Sequence, residues 1–254
     1  MRLDRRVAFV TGSGRGLGKG IALELARAGA AVAVIDRTDD DAHATVKEIQ
    51  ALGRESKFFL GDVSKSTEVQ RLFEEVLRDF GRIDILVNNA GIVRDAMIQK
   101  MTETQWDEVL GVNLKAVFLC TKEAVAPMRA QKYGRVINIS AKTATVGNVG
   151  QANYIAAKAG VLGLTLTTAR EFAYYGAREA ASLTCNAVLP GVQDTPLTLA
   201  LPHDVRERLV AQIPMRRAGS AADIGAAVAF LASEEAAYIT GALLPVDGGF
   251  FMNM

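Results

Sequence analysis

Short apolar runs separated by stretches of helical periodicity recur along the whole 254-residue chain, and this alternation limits its fold more than any other feature. Apolar runs stand at Val7–Val10, Ala31–Ile35, Ser56–Leu60, Ile83–Val87, Arg135–Ile139, Ser182–Leu189 and Ala242–Val246. Helical patterns fill the gaps: one to Ala28, then Asp41–Leu52, Ser66–Phe80, a long or broken stretch Thr102–Ala130, Tyr154–Ala173 opening near Gln151, and Ala221–Ala232. Strands alternating with helices pair in parallel, because each helix returns the chain to the starting end of the sheet. The expected fold is α/β, a single-domain, doubly wound parallel sheet with helices on both faces. Half of the residues are hydrophobic, enough to fill one such core. No linker or repeat divides the chain, so one domain is expected over 1–254. A helical excursion at Leu197–Pro214 has no place in the sheet and reads as a substrate lid over about 193–215.

The first strand runs directly into Thr11-Gly12-Ser13-Gly14-Arg15-Gly16-Leu17-Gly18, and a helix follows with Gly29 as its stop. Glycines at 12, 14, 16 and 18 let the backbone turn tightly and approach a ligand. Free N–H groups at the start of the helix suit a pyrophosphate. With a strand before it and another after the helix, the stretch reads as the dinucleotide-binding turn of a Rossmann-like domain, Thr11 to Gly18 being its contacts.

The second strand ends in Asp36, whose carboxylate can accept hydrogen bonds from an adenosine ribose and repels a 2′-phosphate. A turn or capping role before Asp39–Asp41 is the competing reading. Arg37 follows and attracts phosphate, so NAD is the expected cofactor and NADP the alternative. Asp62-Val63 ends the third strand, where an adenine would lie. Asn89, Ala90 and Gly91 follow the fourth, and either admit a cofactor closely or form a turn with satisfied amides. Asn113 lies in an apolar helical stretch, where an amide is costly to bury. It is either bonded to neighbouring backbone or functional.

Tyr154 and Lys158 stand four residues apart on one helix and share a face. An ammonium beside a phenol favours the phenolate and lowers a pKa that is otherwise about 10. Tyr154 is then a general acid/base near neutral pH, the bland alternative being a surface pair.

Twenty-nine basic against 28 acidic residues give a net charge of +1, so nothing draws the chain to nucleic acid or to an anionic membrane. No apolar run approaches the ~18–20 residues of a membrane span. Cys120 and Cys185 lie in apolar runs and read as buried hydrophobes rather than a disulfide. His43 and His203 are isolated, so no metal is expected. The charged start MRLDRRVAFV leads into a strand and does not resemble a signal peptide; a cytoplasmic protein is expected. The apolar helix with Ile155, Ala156, Val161, Leu162, Leu164 and Leu166 suggests burial both by its own sheet and by another copy, and its neighbour with Leu114, Val117 and Leu119 can share that interface.

Thr11-Gly12-x-x-x-Gly16-x-Gly18, Asp62, Asn88–Gly91, Asn113, Tyr154-x-x-x-Lys158 and Pro190-Gly191 through Thr195 together resemble the short-chain dehydrogenase/reductase family. NNAGIVRD, GQANYIAAKAG, FLASEEAAYITG and the GGFFM ending look most like its bacterial 3-oxoacyl-(acyl carrier protein) reductases. The resemblance implies a homotetramer that moves a hydride between a nicotinamide and a small-molecule alcohol or ketone. It assigns Tyr154 the proton, Lys158 the nicotinamide ribose and the lowering of the Tyr154 pKa, and Asn113 a relay water. It gives the glycine turn the pyrophosphate, Asp62-Val63 the adenine, Pro190, Gly191 and Val192 further cofactor contacts, and Thr195 the carboxamide. The leading reading is an NAD(H)-dependent alcohol/ketone oxidoreductase. The alternatives are an NADPH-dependent 3-oxoacyl-thioester reductase and a catalytically weak nucleotide-binding protein.

Three departures stand out. The family's catalytic serine falls at position 141, where this chain has alanine. Ser140 alternates to the opposite face of an extended strand, while Thr143 and Thr145 follow on a loop from which either can reach in. Without a substitute, turnover is low and Ala141→Ser raises kcat by about two to three decades. The carrier-protein-binding reductases use two basic residues at the mouth of the site, and these fall on Lys132 and Tyr175. Finally, GAREAASLTCNAV is a residue or two longer than in relatives.

Overall fold

The computed structural model describes residues 2–39, 41–194 and 203–251. Its first half runs β1 (Val7–Thr11), α1 (Gly16–Arg27), β2 (Ala31–Asp36), α2 (Ala42–Ala51), β3 (Ser56–Leu60), α3 (Ser66–Phe80) and β4 (Ile85–Asn88). The second half runs α4 (Glu103–Leu110), α5 (Ala116–Ala130), β5 (Tyr133–Ile139), α6 (Ala152–Glu179), β6 (Ser182–Pro190), α7 (His203–Gln212), α8 (Ala221–Ala232) and β7 (Leu243–Val246). The seven strands form one parallel sheet in the order β3-β2-β1-β4-β5-β6-β7.

Period-two alternation sorts the strand side chains into two layers. Ala8, Val10, Val32, Val34, Val87 and Ile137 pack with α1, α2 and α8 on one face. Phe9, Ala33, Ile35, Leu86 and Val136 pack with α3, α5 and α6 on the other. Each fully buried aliphatic or phenyl side chain, such as Leu25 or Phe172, contributes about 1.5–3 kcal/mol of transfer free energy. The strand order reverses between β1 and β4, and a parallel sheet opens a crevice at its carboxyl edge there.

Several boundaries differ from the sequence expectation. β4 begins at Ile85: the Ile83 backbone is taken up by the Gln131 amide, while the Asp84 N–H still donates to Val7 O (2.9 Å). The Ile83 N–H donates to Gln131 Oε1 (3.1 Å), and the buried Asp84 carboxylate accepts from Val7 N–H (2.9 Å) and from Arg82. The Thr102–Ala130 stretch is two helices joined by a π-helical turn over Gly111–Lys115. α6 continues past Ala173 to Glu179, so the extra residues of GAREAASLTCNAV form its end, closed by Ala180 in the left-handed region (φ 50°). Val117, Leu119 and Val161 face the chain's own core and not a partner. Of the expected lid, α7 and its flank to residue 215 are described, whereas 195–202 lie outside the described residues. Among the described residues no helix is long and apolar enough to cross a membrane.

Candidate active site

The carboxyl ends of β1 to β6 open into one cleft of about 640 Å³. Gly12, Arg15, Leu17 and Gly18 from the glycine turn line it, with Asp36-Arg37, Asp62-Val63, Asn89-Ala90-Gly91 and Pro190-Gly191-Val192 from successive strand ends. Ala141, Tyr154 and Lys158 line the same cleft. Thr195 lies outside the described residues.

The glycine turn is a cradle that side chains would fill. Gly12 sits at φ +62°, and a Cβ on Gly18 would stand 2.0 Å from the Gly12 carbonyl oxygen. Arg15, which precedes α1, is extended and caps the helix with no side-chain hydrogen bond. The first amides of α1 therefore have neither an intrahelical nor a capping acceptor, and they suit an anionic group.

Thr11, Ser13, Gly14 and Gly16 do not line the cleft itself, and the Thr11 and Ser13 side chains are taken up by hydrogen bonds that shape the turn. Ser13 is wholly buried; its hydroxyl donates to Val10 O (2.7 Å) and accepts from Ile35 N–H (3.1 Å). Thr11 Oγ1 accepts from the N–H groups of Asn89 (2.9 Å) and Ala90 (3.0 Å). Asn89 Nδ2 returns bonds to Thr11 O and Gly12 O, both 3.0 Å, locking the β1 and β4 loops together.

Asp36 Oδ2 accepts from Gly14 N–H (2.9 Å) and Oδ1 from Arg37 N–H (2.7 Å), so its carboxylate is oriented before any ligand arrives. Burial pushes the Asp62 carboxyl upward, but two hydrogen bonds from Ser64, aided by Lys65 and Arg37, hold it below the usual range.

Asn113 resolves toward the backbone reading. It is wholly buried in the π-helical turn, its Oδ1 accepting from Ile92 N–H (2.8 Å) and its Nδ2 donating to Ile92 O (2.9 Å). Its amide clamps the chain leaving β4.

Lys158 is buried, and its Nζ donates to Ile139 O (2.7 Å) while standing 5.8 Å from the centre of the Tyr154 ring. Burial pushes the Lys158 ammonium down to about 8. The Tyr154 phenol is pushed up to about 12 by burial and then by the Asp95 carboxylate. The expected lowering of Tyr154 by Lys158 is therefore not found: the ammonium is directed at the β5 carbonyl. The Tyr154 hydroxyl has no hydrogen-bond partner among the described residues.

Asp95 was not anticipated, nor were Asn148 and Gln151. Asn148 Nδ2 donates to Gln151 Oε1 (2.9 Å), and Gln151 Nε2 donates to Asp95 Oδ2 (3.1 Å), a chain whose middle member, Gln151, stands three residues before Tyr154. The charged groups near the phenol are Asp95 and Lys158; Arg94 is paired with Glu108 (2.9 Å). Asp95→Asn removes a negative charge that opposes the phenolate, so the Tyr154 pKa is expected to fall. Phenolate absorbance titrated with and without Tyr154→Phe measures it, and an unchanged midpoint would refute the coupling. Leu209, Phe250 and Phe251 add an apolar wall, of which only the aromatic pair in the tail left a trace in the sequence.

The family model described as "Enoyl-(Acyl carrier protein) reductase" matches residues 12–251. A 3-oxoacyl-(acyl-carrier-protein) reductase of Staphylococcus epidermidis is 46% identical over 246 residues, covering 96% of this chain and 98% of its own. The Escherichia coli protein of that name is 41% identical, covering 99% of this chain and 100% of its own. A crystal structure of a putative short-chain alcohol dehydrogenase from Sinorhizobium meliloti superposes with a TM-score of 0.93 at 35% identity, over 100% of this chain and 99% of that one.

Proposed function

The chain belongs to the short-chain dehydrogenase/reductase family, and on that premise we propose that it moves a hydride between a nicotinamide dinucleotide and a ketone/secondary-alcohol pair. The observation that carries this reading is the unpartnered Tyr154 hydroxyl, one helical turn from buried Lys158, in a cleft whose glycine cradle fits a dinucleotide. The nicotinamide supplies or takes the hydride. Gly12, Gly18 and the α1 amides hold the pyrophosphate, Asp36 the adenosine ribose and Asp62-Val63 the adenine side. Tyr154 gives the proton to the substrate oxygen or takes it back. Lys158 would bring a positive charge to the nicotinamide ribose and hold a proton for the relay. With both ends of its amide on Ile92, Asn113 would hold a relay water through its main-chain carbonyl.

Two substrate readings follow. A 3-oxoacyl thioester is supported by the names of the full-length relatives at 46% and 41% identity. A small ketone or alcohol handled with NAD(H) is favoured by Asp36 and by the charge around Lys132 and Tyr175, the positions where the carrier-protein-binding reductases are basic, which lie just before β5 and on α6. There Glu179 pairs with both Arg129 and Lys132, and Arg129 lies over the Tyr175 ring (4.1 Å), leaving little free basic surface for an acidic carrier protein. Initial rates with acetoacetyl-coenzyme A and with racemic 2-octanol, each with both cofactors, separate the two. No turnover of either would overturn the proposed function.

A tetramer built through α5 and α6 belongs to this proposal. Phe118 and Leu166 are 49% and 44% exposed on those helices. Sedimentation at micromolar concentration is expected to give a species well above the 27.1 kDa monomer.

A further inference from the structure

We infer that Thr143 donates the second hydrogen bond to the substrate oxygen, in place of a hydroxyl at position 141. The inference rests on the proposed carbonyl/alcohol chemistry and deepens it. When a carbonyl carbon accepts a hydride, its π pair moves to oxygen, and that oxygen takes the proton of Tyr154. Tyr154 alone must then both transfer a proton and hold the oxygen in place, so a second, fixed donor stabilises the developing charge. Thr143 keeps its own proton throughout and only donates a hydrogen bond.

Elimination among the described side chains that line the cleft leads to Thr143. Ser140 Oγ donates to Lys158 O (2.8 Å) and is buried. Lys158 Nζ is bound to Ile139 O, and Asn89 Nδ2 to Thr11 O and Gly12 O. The Asn148 and Gln151 amides are engaged with each other and with Asp95, and Gln193 has partners of its own. Arg15 and Arg37 belong to the glycine turn and the end of β2, the cofactor's end of the cleft. Thr145, the other hydroxyl on the loop, donates to Lys142 O (2.9 Å) and does not line the cleft. Thr143 lines it, and its hydroxyl bonds to no described residue.

Local backbone explains the placement. Ala141 is extended (φ −155°, ψ 145°) and leads into a 3-10 turn over Lys142–Thr145. Along this stretch Ser140, Ala141 and Lys142 are buried and Thr143 is partly exposed; Ser140, Ala141 and Thr143 line the cleft, and of the two hydroxyls there only that of Thr143 is left without a bond to a described residue. The turn is fixed by Ala144 N–H to Ala141 O (3.1 Å) and Gly147 N–H to Thr143 O (2.8 Å), so the hydroxyl is carried on rigid backbone. The small Ala141 side chain leaves room for a substrate oxygen to approach it.

The test compares Thr143→Val, which keeps the shape without the hydroxyl, with Thr143→Ser, which keeps the hydroxyl. With whichever of acetoacetyl-coenzyme A or 2-octanol the parent turns over, Thr143→Val is expected to lower kcat by about 10–10²-fold, somewhat less than loss of an ideally preorganised donor. Thr143→Ser should remain within a few-fold of the parent, and NADH dissociation constants should stay unchanged in both. Ala141→Ser should recover most of the lost kcat in the Thr143→Val background while raising the parent only slightly. A crystal of the complex with oxidised cofactor and acetoacetyl-coenzyme A should place Thr143 Oγ1 about 3 Å from the carbonyl oxygen. The inference is overturned if Thr143→Val is silent, or if Ala141→Ser alone raises kcat by two to three decades. A silent Thr143→Val beside an inactive Tyr154→Phe would leave the carbonyl chemistry standing and remove only Thr143. Failure of both probes in the parent would remove the two together.

Discussion

Tyr154→Phe is expected to lower kcat by about 10²–10⁴-fold, the range for a positioned general acid, while NADH still binds and the fold is retained. The substitution removes one oxygen that no described residue holds, so no buried polar partner is left orphaned. Among the described residues no other acid stands free at the substrate end of the cleft. Lys158 is anchored on Ile139 O at 2.7 Å, and Asp95 is exposed and held by Gln151. The sign of the pH dependence follows from the two shifts. Burial holds Tyr154 as the neutral phenol up to about 12, so in the free enzyme the proton needed for reduction is present across the neutral range. Lys158 loses its proton near 8 because burial disfavours the ammonium. Reductive kcat/KM should therefore be flat below about pH 8 and fall above it as the positive charge is lost. Oxidation needs the phenolate, and its rate should still be rising where reduction declines. A Tyr154→Phe protein within tenfold of the parent would remove Tyr154 from the chemistry.

The neighbourhood of Tyr154 also marks where sequence reasoning reached its limit. The sheet was legible because its apolar runs are continuous, and the two glycines that matter most, Gly12 and Gly18, announce a close backbone approach through their lack of a side chain. Spacing on a helix likewise placed Tyr154 and Lys158 on one face. Spacing did not say where the ammonium points, and a carbonyl one strand away claimed it. Ser13 and Thr11 sit inside the same motif as Gly12, yet hydrogen bonds to β2 and β4 turn them inward; such bonds cross 22 and 78 residues and leave no local trace. Asp95 meets Gln151 only after folding, across 56 residues, for the same reason. Asn113 was undecidable because both readings require burial, and only its partner, Ile92, distinguishes them.

Asp36 should make NADH bind about 10–10²-fold more tightly than NADPH, and Asp36→Asn should erase most of that difference. A 2′-phosphate would bring a second negative charge to the end of β2. Two like charges about 4 Å apart repel by ~4 kcal/mol at an effective dielectric of 20, close to three decades in affinity. The carboxylate is only partly buried and Arg37 is adjacent, so solvent and the guanidinium reduce the penalty. Arg37 also helps, as the least of several causes, to hold the Asp62 carboxyl ionised. Asparagine is the informative replacement. It keeps an acceptor for Gly14 N–H and so preserves the turn, whereas alanine would leave that amide unpaired as well as removing the charge. Fluorescence titration of both cofactors against parent and Asp36→Asn gives the comparison directly. NADPH should gain in the variant, and NADH should weaken as one ribose acceptor is lost. Tighter NADPH than NADH binding in the parent would mean that Arg37 dominates the end of β2, and the assignment of NAD to this cleft would fall.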